Sequence, residues 1–143
     1  MSKSVLERSG FQIGGALSGE PVTGVRIQVV DDDPMIGTLL AAMLETMGHH
    51  VCAVSATEAA AIIDAARYEP GLMIVDAWLG DGSGVSAVAQ ILHTHCFIPH
   101  LFMSGNIAKV RLLRPDAVLL EKPFKEPALI LAMQQALSVP YAA

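Results

Sequence analysis

Aromatic side chains are scarce in this chain: 5% of its residues, with a single Trp, two Tyr and four Phe. A core with so few rings has to be built from Ala, Val, Ile, Leu and Met, which the 52% hydrophobic content supplies. Basic charge is also short. Nine Lys and Arg against fourteen Asp and Glu leave a net charge of −5. Without a basic cluster to neutralise phosphates, nucleic acid is excluded as a partner. No apolar run approaches the roughly 18 to 20 residues that a membrane span needs, so no membrane association is expected. The N-terminal stretch carries Lys3 and Arg8, but FQIGGALSG is too broken by Gly to serve as the h-region of a secretory signal. Only two cysteines are present, Cys52 and Cys96. They form no close-spaced motif, and a chain of this size has little need of a disulfide staple. Both read as reduced thiols of a cytoplasmic protein.

What is present is an orderly alternation. The 143 residues suffice for one domain with a proper core. Residues 1–24, rich in Ser and Gly, read as a loosely ordered leader with a short amphipathic piece around Phe11 to Leu17. From residue 25 to 143 strand and helix patterns follow one another. RIQVV (Arg26 to Val30) is a β-branched run. Asp33 and Pro34 then supply an N-cap and a first helical residue, Ile36, Leu40, Met43 and Met47 a stripe, and Gly48 a stop. Val51 to Val54 is a second strand, and Ser55 with Glu58 predicts a capping box for a helix through Arg67. LMIV, Leu72 to Val75, is wholly apolar, as expected of a strand covered on both faces. GDGSG reads as a flexible turn with Asp81 in solvent, and Val85, Val88 and Leu92 mark a helix. Leu101 to Met103 and Ala117 to Leu120 give strands four and five, and Ile130, Met133 and Leu137 a last helix entered near Pro127.

Five βα units in succession predict a doubly wound, five-stranded parallel α/β sheet with right-handed crossovers. Ligand sites in such sheets lie at the carboxyl ends of the strands. Asp31, Asp32 and Asp76 all sit where a strand ends, Ser104 follows strand four and Lys122 follows strand five. Three carboxylates on one rim repel one another and suit a hard divalent cation, most simply Mg2+. Mg2+ keeps waters and binds phosphate oxygens, and a hydroxyl with an ammonium is what a phosphoryl group needs opposite the metal. A carboxylate can itself accept phosphoryl, giving an acyl phosphate.

VVDDDP, IVDAWLGDGSG, FMSGN and LEKPF, in that order, resemble the receiver domains of two-component response regulators over about residues 25 to 138. The resemblance implies a flavodoxin-like fold in which Asp76 is the phosphoacceptor. It implies that Asp32 and Asp76 ligate Mg2+ directly, together with the Trp78 backbone carbonyl, and that Asp31 acts mainly through water. Ser104 becomes the switch hydroxyl and Lys122 the phosphate partner, with a cis peptide at Lys122–Pro123. The implied donor is a sensor histidine kinase or a phosphotransfer protein, and the output is contact with a downstream protein. The only chemistry is self-catalysed phosphoryl transfer and hydrolysis, not turnover of a separate substrate.

Some residues depart from the family pattern. NIAKVRLLRPD barely holds a helix before Pro115, so helix four is expected to be short or irregular. Leu119 stands where the family places an aromatic switch, and Gly80 where a proline is common. The sequence ends shortly after the last helix, which reads as a stand-alone receiver. A phosphorylation-independent protein-binding module with a relic acidic site is the alternative. A flavin protein of the same topology would need a phosphate-cradling loop where the chain has DDDP. The histidines of HTHCFIPH, His93, His95 and His100, with Cys96 among them, lack the spacing of a structural zinc finger and read as ordinary loop residues.

Overall fold

The computed structural model describes residues 24–95 and 97–139. The leader expected for residues 1–24, except Gly24, lies outside the described residues, as does Cys96. The elements are β1 (Arg26–Val30), α1 (Pro34–Thr46), β2 (His50–Ser55), α2 (Glu58–Tyr68), β3 (Leu72–Asp76), the short β4 (Trp78–Leu79) and β5 (Gly82–Ser83), α3 (Gly84–Thr94), β6 (His100–Ser104), α4 (Ile107–Leu113), β7 (Leu119–Glu121) and α5 (Glu126–Ser138). β2-β1-β3-β6-β7 form one sheet, and every pairing in it is parallel.

Alternation along the strands divides the core into two layers, because successive side chains leave a strand on opposite faces. Ile27 and Val29 of β1, Leu72 and Ile74 of β3, and Leu101 and Met103 of β6 pack with Leu40 and Leu44 of α1 and Leu129 and Met133 of α5. Val30, Met73, Val75 and Phe102 point the other way, onto Ala61 and Ala65 of α2, Val88 and Ile91 of α3 and Val110 of α4. Helices therefore cover both faces, and the doubly wound sheet is as the sequence predicts. The fully buried β3 explains why LMIV shows no polar alternation.

Local signals set several helix ends. The Asp33 carboxylate accepts from the Met35 and Ile36 amides and caps α1. Gly48, at φ 96°, follows its last turn where a residue with a Cβ is strained. Other expectations need correction. Ser55 does not cap α2; Thr57 does, its hydroxyl accepting from the Ala60 amide. Ser55 ends β2 and donates its hydroxyl to Asp64, while Glu58 reaches outward to residues of β5 and α3. The buried stripe of α1 runs through Gly37, Leu40 and Leu44, with Met43 and Met47 at its margin. Nor is GDGSG merely flexible: Trp78 pairs with Ser83 and Leu79 with Gly82, making an antiparallel hairpin. The last strand begins at Leu119, two residues later than its apolar run suggests. α4 has only seven residues, matching the short helix expected before Pro115.

Candidate functional site

β1 and β3 are neighbours with Val30 opposite Val75, so the chain leaves both strands with Asp31 and Asp76 side by side. β1 also lies where the strand order reverses, the place at which doubly wound sheets open a crevice. Asp31, Asp32 and Asp76 each bring a carboxylate oxygen within 4.8 Å of the others. From the far side of the sheet, β7 delivers Lys122. Its ammonium bridges Asp31 Oδ2 at 3.2 Å and Asp76 Oδ2 at 3.1 Å. The Lys122 amide is fixed by the Ser104 carbonyl at 2.9 Å, and the Lys122–Pro123 peptide is cis, as the resemblance implied.

The three acids are held differently. Asp31 has a fully buried side chain, and its Oδ1 accepts from the Asp33 amide. Asp32 is exposed and receives the Gly80 amide at 2.8 Å. Asp76 retains 12% side-chain exposure, with Oδ1 taking the Trp78 amide at 3.1 Å and Oδ2 facing Lys122. Burial pushes the Asp76 pKa up, against the opposing pull of the Trp78 amide and Lys122. Burial works against the charge of Lys122, yet its bonds and charge pairing with Asp76 and Asp31 outweigh it and raise its pKa. Ser104, buried at the end of β6, accepts the Asn106 amide on its hydroxyl oxygen at 2.9 Å. Its own proton is left to donate. Asn106 in turn caps α4 through the Lys109 amide.

Sequence reasoning thus brought Asp31, Asp32, Asp76, Ser104 and Lys122 to one rim, and the fold places them there. Trp78 stands beside Asp76 with its ring under the Lys109 ammonium, 4.8 Å from the centroid. Gly80, noted from sequence only as standing where a proline is common, holds Asp32 through its amide. Two supporting residues were not singled out from sequence: Lys109 covers Trp78, and Gly84 lets α3 start against the Asp76 backbone. A Cβ at Gly84 would overlap the Asp76 carbonyl oxygen and lie 2.6 Å from Val75 Cγ1. The glycines of GDGSG were the available signal, since a strand end this crowded needs them. The histidines do not gather: His93 and His95 are exposed, and His100 is buried against Ile98 and Arg114.

The donor set suits Mg2+: the one ammonium, of Lys122, pairs with Asp31 and Asp76 and not with Asp32, so the three carboxylates and Lys122 together keep a formal charge of −2 that a divalent cation would offset. A five-stranded, all-parallel sheet in the order β2-β1-β3-β6-β7 with helices on both faces is a doubly wound, flavodoxin-like α/β domain, here with an acid cluster at its switch point. The chain belongs to the response regulator receiver domain family, whose model matches residues 27–134. It is 30% identical to the phyllosphere-induced regulator PhyR of Methylorubrum extorquens, over 94% of this chain and 49% of that protein. The solution structure of the PhyR receiver domain from Erythrobacter litoralis superposes with a TM-score of 0.74 at 29% identity, covering 85% of this chain and 98% of that one. The anti-anti-sigma factor PhyR of Bartonella quintana gives 0.72 at 26% identity, over 87% of this chain and 51% of that one. The chain therefore spans about half the length of the full PhyR regulators it matches. Among the described residues no helix is long and apolar enough to cross a membrane.

Proposed function

We propose that this chain accepts a phosphoryl group on Asp76 from a histidine kinase or phosphotransfer protein in the cytoplasm, and signals by changing its contacts with a downstream protein. The observation that carries this reading is the Lys122 ammonium seated between Asp31 and Asp76 while Asp32 stands within metal-sharing distance. In the step, an Asp76 carboxylate oxygen attacks phosphorus, the bond from phosphorus to the donor breaks, and an acyl phosphate remains. Lys122 and the Ser104 hydroxyl receive phosphoryl oxygens. Asp31, Asp32, Asp76 and the Trp78 carbonyl would hold Mg2+, which supplies charge neutralisation for the incoming group. Catalysis is confined to this transfer and the later hydrolysis.

Output on this reading runs through the segment after Ser104. Leu119 offers no aromatic ring to rotate, and α4 exposes Leu112 at 84% and Leu113 at 56% beyond the Ser104–Asn106 turn. A phosphoryl group that recruits the Ser104 hydroxyl pulls on that turn and shifts the α4 face.

The test is intact mass after incubation with Mg2+ and acetyl phosphate. Wild type should gain one acid-stable, base-labile phosphoryl group, and Asp76→Asn should gain none while keeping its fold. A correctly folded wild type that stays unmodified would instead favour a phosphorylation-independent binding module, the reading that Leu119 and the short α4 support.

A further inference from the structure

The acids at the rim are held by amides of the β4–β5 hairpin: Trp78 on Asp76 and Gly80 on Asp32. A two-residue ladder has little stability of its own. Something outside must fix it, and the hydrogen bonds lead to Glu58 at the start of α2. Glu58 Oε1 accepts the Ser83 amide at 3.1 Å, at the base of the hairpin. Its Oε2 accepts the Ser86 hydroxyl at 2.7 Å and the Gln90 amide group at 2.6 Å, both from α3. The hairpin backbone presses directly on this carboxylate, for a Cβ placed at Gly82 would lie 2.6 Å from Glu58 Oε1. Glu58 and Asp32 line the same 640 Å³ cleft, yet the hydrogen bonds of Glu58 go to Ser83, Ser86 and Gln90 and to none of the three acids.

We propose that Glu58 is a positioning residue: its carboxylate clamps the base of the β4–β5 hairpin and thereby sets the Trp78 and Gly80 amides that hold Asp76 and Asp32. It acts through the backbone and touches no reacting atom. The bond from Gly80 to Asp32 fixes the tip and the bond from Ser83 to Glu58 fixes the base, so the segment between them is held at two points. Glu58 lies 18 residues before Asp76 in sequence, at the start of α2, and bonds to Ser86 and Gln90 of α3, so the clamp also ties α2 and α3 to the site. The bonds from Ser86 and Ser83 hold its pKa below the usual carboxylate value, in line with an acceptor that works ionised.

Two readouts on four proteins test the clamp: hydrogen exchange at the Trp78 and Gly80 amides by NMR, and the rate of phosphorylation by acetyl phosphate across a Mg2+ titration up to saturation. Glu58→Ala should speed exchange at both amides, slow phosphorylation about tenfold and raise the half-saturating Mg2+, with the amides inside α2 unchanged. Glu58→Gln, which keeps one oxygen for Ser83, should fall between wild type and Glu58→Ala. Gly82→Ala keeps the Glu58 charge but pushes the carboxylate aside, and should resemble Glu58→Ala. Unchanged exchange in Glu58→Ala and Gly82→Ala overturns the clamp. An effect in both Glu58 variants with none in Gly82→Ala also overturns it, since charge alone would then be the cause. The rate readout rests on the phosphoacceptor reading. If wild type takes up no phosphoryl, that reading fails, and hydrogen exchange alone decides for or against Glu58.

Discussion

The Lys109 ammonium sits over the indole of Trp78, 4.8 Å from the ring centroid, and so joins α4 to the hairpin beside Asp76. Such a contact contributes about 0.5–1 kcal/mol at an exposed site. Lys109→Ala should lower stability by that amount in urea unfolding and shift the emission of Trp78, the chain's single Trp. On the proposed function, the indole shields an acyl phosphate on Asp76 from water. Trp78→Ala should then shorten the lifetime of the phosphorylated protein, and Lys109→Ala should do so less. Equal decay rates in all three proteins would leave Trp78 as packing alone.

Lys122 is the cation paired with Asp31, whose side chain is fully buried. Removing one partner of such a pair strands a charge in the interior, and breaking a buried pair costs about 3–5 kcal/mol. Lys122 keeps 21% exposure, so Lys122→Ala should cost about 3 kcal/mol, toward the low end of that range. Mg2+ should restore part of the loss by supplying positive charge to the same carboxylates. Urea unfolding with and without Mg2+ checks this, and an equal loss in both buffers would separate the metal from the Lys122 site.

A third prediction concerns acid. His100 is buried; its Nδ1 lies 2.8 Å from the Ile98 carbonyl and its Nε2 lies 3.2 Å from an Arg114 nitrogen. A carbonyl accepts and a guanidinium donates, so the ring is neutral with its proton on Nδ1. Burial, seconded by the Arg114 charge, lowers its pKa below 6.5 despite the Ile98 bond. The unfolded chain then binds the extra proton first as pH drops. Stability is complete above pH 6.5 and is lost as the pH falls from 6.5 toward the lowered value. His49, also lowered by burial, adds in the same direction. The urea midpoint should fall over this window in wild type and fall less in His100→Gln. Identical pH profiles would show that His100 does not carry the effect.

At Gly84 α3 starts against the Asp76 backbone, and a Cβ there has backbone rather than a flexible side chain to displace. Gly84→Ala should cost about 1–3 kcal/mol, the usual range for overpacking, and should shift Asp76 enough to impair phosphoryl transfer. Gly105→Ala, with nothing within 4 Å of the new Cβ, serves as the tolerated control. Thermal unfolding of both variants and their mass gain from acetyl phosphate decide the comparison.

Order and period of the elements were legible because they are local. Short β-branched or apolar runs such as RIQVV and LMIV mark strands, Asp33 is placed to cap the helix that Pro34 opens, and Pro115 leaves room for only a short α4. The acids could be assigned to one rim from the strand-end rule alone. What the tertiary structure decided is which partner each polar side chain takes. Ser55 and Glu58 have the spacing of a capping box, but Asp64 and the Ser83, Ser86 and Gln90 groups are better placed to bond them. GDGSG looks like a free turn until Asp32, 48 residues away, and Glu58 grip the hairpin. In DDD the sequence sets Asp33 apart as a helix cap but does not say which of Asp31 and Asp32 is buried. Folding brings Lys122 across 91 residues to one of them, buries that one, and leaves Asp32 in solvent. A backbone conformation is chosen among neighbours a few residues apart, whereas a hydrogen bond goes to whichever group the packed layers bring within reach.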